Sequence, residues 1–167
     1  LAGYVRHRGA DLEMFHGFVF SSAAFVVAAV VLGALAAWPG LVSTEVRFQL
    51  VSAEVAAIIA WIGLALIGHA HRIVPVISFT GLIERGVMTT ADDEPLLPTH
   101  LISVRAGWSA LVLGGCGFAL VVVSLAVNLE GLLAIGAAAV AIAGTVVVVN
   151  LSKGPRMLLR SRKNTGG

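Results

Sequence analysis

Five histidines and one acid inside an apolar stretch are the side chains of this sequence best suited to chemistry. The histidines are His7, His16, His69, His71 and His100. A neutral imidazole nitrogen can ligate haem iron or copper when it is held in a fixed geometry. His16 falls just inside the first of four long apolar runs, and His69 lies near the end of the second. Consecutive spans run in opposite directions, so the two are expected at similar depths. Antiparallel helices carrying one histidine each can hold a single centre between them. His69 and His16 are thus the candidate ligands of a b-type haem or of copper. The competing reading makes them interfacial residues, wetted by headgroups or bonded to a backbone carbonyl.

The neighbours of His69 sharpen this reading. His71 lies two positions on, about 200° around a regular helix, so the two cannot easily serve one centre. Arg72 lies three positions on and shares the face of His69. Its guanidinium could hold a haem propionate, a quinone oxygen or a lipid phosphate, or it could snorkel to the headgroups. Pro75 removes a backbone hydrogen bond to residue 71 and is expected to kink or end the helix there. His7 and His100 read as solvated loop residues.

Other chemistry is sparse. Glu54 is the one acid well inside an apolar run, and such acids can mark proton or ion paths. It is expected about one and a half turns from the start of the second helix, within reach of water. Asp92, Asp93 and Glu94 lack the spacing of a calcium loop. The single cysteine, Cys116, excludes an internal disulfide and a multi-cysteine metal site. No nucleophile–base arrangement and no phosphate-cradling glycine loop is present, so the chain is not read as an enzyme by itself.

The elements that position these residues follow from composition. Of 167 residues, 58% are hydrophobic and 12% charged, with a mean hydropathy of +0.97. Soluble domains are about 45–50% apolar and about a quarter charged. An ordinary soluble enzyme, a disordered chain and a nucleic-acid-binding domain are excluded. A helical span needs roughly 20 mostly apolar residues. Four runs qualify: about 14–38, about 49–75 with apolar character continuing to Phe79, about 106–127 and about 131–150. They are too long and too uniformly apolar for barrel strands. The expectation is an all-α polytopic membrane protein, a single four-helix transmembrane domain over 1–167.

Four spans put both termini and the 80–105 loop on one side. That side holds Arg6, Arg8, Arg72, Arg85, Arg105, Lys153, Arg156, Arg160, Arg162 and Lys163, and the other only Arg47. By the positive-inside rule both termini are cytoplasmic. The chain begins at Leu1, and a removed signal peptide would leave the N-terminus outside, so the expectation is the later part of a longer polytopic protein. Small residues are expected to let helices approach closely: Gly114, Gly115 and Gly117 in the third span, Ala137, Ala141 and Thr145 in the fourth.

The stretch Gly68-His69-Ala70-His71-Arg72-Ile73-Val74-Pro75-Val76 resembles the G-H-x-x-K-I-x-P-F pattern of bacterial membrane proteins of the haem–copper oxidase subunit I-like type, including the NnrS-like group. Gly68, His69 and Pro75 carry over directly, while Arg72 stands for Lys and Val76 for Phe. The resemblance implies a respiratory or nitrogen-oxide-related protein of the bacterial plasma (inner) membrane. On that reading the chain binds haem or copper for electron transfer or assembly, with His69 as primary ligand, His16 as its partner and Arg72 on a propionate. The alternative is a cofactor-free accessory subunit docking on a larger membrane complex. A third reading is a transporter fragment using Glu54.

Overall fold

The computed structural model describes residues 14–90 and 94–157. His7, Asp92 and Asp93 lie outside the described residues, as do Arg6, Arg8, Arg160, Arg162 and Lys163 of the charge count.

Four helices follow in order: α1 (Met14–Ala37), α2 (Thr44–Ile83), α3 (Val104–Val127) and α4 (Glu130–Leu151), with one 3₁₀ turn at Pro98–Leu101 before α3. All four are long and apolar enough to cross a membrane. The all-α, multi-pass architecture is that expected from the apolar runs. Among the described residues the only strand-like pairing is the isolated bridge Thr89–Pro95.

α2 differs most from expectation. It has 40 residues, roughly 60 Å at about 1.5 Å per residue, against a hydrocarbon core of about 30 Å. It begins early because the Ser43 hydroxyl accepts a hydrogen bond from the Val46 amide at 3.3 Å, and Glu45 sits in the positive first turn. At the other end it does not stop at Pro75. A mid-helix proline costs about 3 kcal/mol, and the turns beyond it supply offsetting burial. Pro75 is itself buried, Ser78 packs against Gly154, and Leu82 forms a small core with Leu96 and Leu101. The helix ends eight residues later, where Gly86 adopts φ +77° and the Val87 and Gly86 amides bond back to the Leu82 and Ile83 carbonyls. This is a Schellman-type stop, which a residue without Cβ accommodates.

α2 contacts all three other helices, with α1 along one flank and α3 along another, while α4 packs mainly on α3. The α1 start, the later part of α2, the α3 start and the α4 end meet at one end of the bundle: Phe18 packs on Gly68, Met14 on Gly107 and Gly154 on Ser78. Both ends of the described chain are therefore on the same side.

α3 and α4 cross at glycines. A methyl group added at Gly136 would lie 2.8 Å from the Gly117 carbonyl oxygen and 2.9 Å from the Val121 amide nitrogen. Gly114 also faces α4, toward Ala143, whereas Gly115 faces open space, contrary to expectation. The expected small face of α4 is likewise corrected. Ala137, Ala141 and Thr145 are exposed, and the helix packs through Gly136, Ala143 and Val147. α4 is apolar on every side, so no polar stripe marks which face turns inward. Ala141→Leu should therefore leave the stability of the isolated chain within about 0.5 kcal/mol, as for a surface substitution. Unfolding in mixed detergent–SDS micelles checks this; a loss like that of a packed small residue would restore the original face.

Candidate functional site

The sequence-derived candidates gather at the end of the bundle where α1 begins. Phe15, in the first turn of α1, is the common element. The His16 ring lies edge-on to Phe15 with centroids 5.5 Å apart, and the His69 ring does so at 5.3 Å. The Arg72 guanidinium carbon sits 5.4 Å from the Phe15 centroid, within the roughly 6 Å of a cation–π contact. His16, His69 and Arg72 thus converge on one aromatic side chain from two helices. All three are exposed on the outside of the bundle. The shared depth of His16 and His69 follows from the antiparallel packing of α1 on α2.

His69 is oriented by its own helix. Its Nδ1–H donates to the Ala65 carbonyl at 2.8 Å. That bond fixes the neutral tautomer and leaves Nε2 as the free lone pair, the arrangement by which outer hydrogen bonds orient ligating imidazoles. Among the described residues no group of three or more His, Cys, Asp or Glu could hold a metal ion, so any centre here draws on the two imidazoles and on groups from elsewhere.

His71 takes a different role. It is 3% exposed, against the open setting of His69, as the helical offset between them requires. Its Nδ1–H donates to the Ile67 carbonyl at 2.9 Å, and its ring stacks on Phe18 with centroids 5.4 Å apart and an interplanar angle of 19°. The Asn150 Nδ2 lies 3.5 Å from His71 Nε2, at the outer limit of hydrogen bonding. Asn150 is 1% exposed and brackets Ser103: the Ser103 amide donates to Oδ1 at 2.7 Å, and Nδ2 donates to the Ser103 carbonyl at 3.1 Å. The Ser103 amide can only face an oxygen, so the side-chain amide has one orientation. Ser103 in turn caps α3, its hydroxyl accepting from the Ala106 amide at 3.3 Å. One buried side chain from α4 thereby ties together α2, α3 and the loop between them.

No protein-family model, curated protein or solved structure matches this chain.

Three positions that shape this end of the bundle carry little or no signal in the sequence. Asn150 closes the last apolar run, where a buried amide needs partners. Ser103, three residues before the Ala106 amide it caps, carries a readable N-cap signal. Phe15 carries no signal of its own until α1 is docked on α2. His100 and Glu54 stand apart from the histidine corner. His100 is exposed, its Nδ1 accepting from the Leu97 amide at 3.3 Å. Glu54 lies ten residues into α2, deeper along that helix than expected, because α2 starts at Thr44. Its carboxylate fills the notch left by Gly33 of α1.

Proposed function

We propose that this chain is a membrane subunit of a respiratory or nitrogen-oxide-related system in the bacterial plasma membrane, with its termini cytoplasmic, and that its His16–His69–Arg72 corner holds a haem b or a copper ion. The convergence of these three side chains on Phe15 carries the reading. The donor chemistry fits. His69 offers Nε2 with Nδ1 tied to the Ala65 carbonyl, His16 offers a second imidazole, and Arg72 offers a planar cationic fork suited to a carboxylate such as a propionate. When bound, such a group supplies one-electron redox chemistry. The chain's own residues bind and orient it: Ala65 sets the His69 tautomer, and Phe15 holds Arg72. The corner lies on the outside of the bundle, so a neighbouring membrane subunit would close it.

A second reading, the cofactor-free accessory subunit, is favoured by the open face of Ala137, Ala141 and Thr145 on α4, which lets another helix approach closely. Haem and copper content per purified chain separates the two. On the first reading, His69→Ala and His16→Ala each lose the cofactor while the protein stays inserted, and the exposed His100→Ala keeps it. On the second, the wild-type chain carries neither group, and all three variants behave alike.

A further inference from the structure

The end of the bundle where α3 starts and α4 finishes carries exposed basic side chains on rigid backbone. α4 has 22 residues, roughly 33 Å, matched to a hydrocarbon core of about 30 Å. Lys153 and Arg156, directly after it, are exposed and helical. They stand at the boundary where apolar burial ends. This turn is fixed: Gly154 packs against Ser78 and Leu101, and Asn150, one turn earlier, grips the Ser103 backbone. Arg105 lies two residues beyond Ser103, in the first turn of α3, and is also exposed. The Asn150–Ser103 bracket therefore joins the start of α3, which carries Arg105, to the end of α4, which leads into Lys153 and Arg156, at the same end of the bundle. Trp108, one turn along α3, is partly exposed, as is usual for an aromatic at the membrane–water interface. The sequence continues with Arg160, Arg162 and Lys163.

We infer that Arg105, Lys153 and Arg156 form a recognition site for the headgroups of anionic phospholipids, selecting them over zwitterionic lipids around this end of the protein. The ligand is the lipid phosphate together with the leaflet's net negative charge. Basic residues clustered immediately beyond a membrane helix attract such lipids, by about a fivefold preference for each Lys or Arg near the surface. Anchoring the cluster on packed helix turns holds the charges together without the entropy cost of ordering a tail. This inference does not depend on the histidine corner or on which side of the membrane the patch faces.

The test is reconstitution of the full chain in phosphatidylcholine vesicles containing spin-labelled phosphatidylglycerol or spin-labelled phosphatidylcholine, with the motionally restricted fraction of each measured. Wild type should restrict phosphatidylglycerol at least about fivefold better, and about 1 M NaCl should remove the preference by shortening the screening length to about 3 Å. Arg105→Gln/Lys153→Gln/Arg156→Gln should lower the ratio toward unity, while Arg47→Gln, at the opposite end, should leave it unchanged. Should the triple variant fail to fold, the wild-type salt titration and the charge-preserving Arg105→Lys/Arg156→Lys variant, which should retain the preference, decide the matter. Equal restriction of the two lipids by wild type, or a preference left undiminished by the triple substitution or by high salt, would overturn the inference.

Discussion

Asn150→Leu should destabilise the chain by about 3 kcal/mol, because each buried polar group left without a partner costs about 1–3 kcal/mol. Leucine keeps the branched outline of the amide and is larger than it, so a cavity is not the source. It strands the Ser103 amide and carbonyl, which Asn150 now satisfies at 2.7 and 3.1 Å, and removes the donor facing His71 Nε2. The three groups are not equal. The His71 contact is long at 3.5 Å, so a double-mutant cycle between His71→Ala and Asn150→Ala should return a coupling below about 1 kcal/mol, in line with a weak hydrogen bond. The Ser103 bracket should account for most of the loss. Reversible unfolding in mixed micelles, followed by helical circular dichroism, measures both quantities. A nearly neutral Asn150→Leu would mean that water already serves the Ser103 backbone and that the bracket is not what joins α4 to the loop.

The second large effect belongs to the α3–α4 crossing. Gly136→Val should cost about 3 kcal/mol or prevent folding, at or above the usual 1–3 kcal/mol of overpacking. Its Cβ would meet the Gly117 carbonyl oxygen at 2.8 Å and the Val121 amide nitrogen at 2.9 Å. Both are backbone atoms of a helix, so no rotamer change relieves the contact and the helices must move apart. Dispersion between closely packed helices is a main source of association in lipid, and it falls off steeply with separation. Gly115→Val is the matched control: the same residue change on the same helix pair, with nothing within 4 Å of the added Cβ. It should retain nearly wild-type stability apart from the small helix-propensity change. Equal losses for the two variants would show that valine itself, rather than the crossing, is responsible.

These two sites show where the sequence was readable and where it was not. The spans were legible because length and apolarity decide bilayer crossing without reference to neighbours. The ends of α2 were not. Its first turn is polar, yet Ser43 caps it and holds it helical outside the apolar run, and packing around Ser78 and Leu82 carries it through Pro75. Inward faces were also illegible: α1 and α4 are apolar all round, so nothing in the spacing of Ala137, Ala141 and Thr145 distinguished them from Gly136 and Ala143. In the candidate site, the common depth of His16 and His69 and the opposed directions of His69 and His71 follow from helix arithmetic alone. The role of Phe15 and the Asn150–Ser103 bracket depend on which helices dock, across 47 residues of separation in the latter case, and no local pattern encodes that.

A redox group held by the His16–His69–Arg72 corner, as proposed, would be visible in the protein itself. The visible absorption spectrum of the purified full chain, recorded oxidised and then reduced, tests it most directly. A Soret band that shifts on reduction is expected, or, with a flat spectrum, copper in stoichiometric amount by elemental analysis, in either case lost in His69→Ala. A folded, membrane-inserted wild-type protein with neither haem nor stoichiometric copper would contradict it, and the corner would then be an interfacial anchor of a docking subunit.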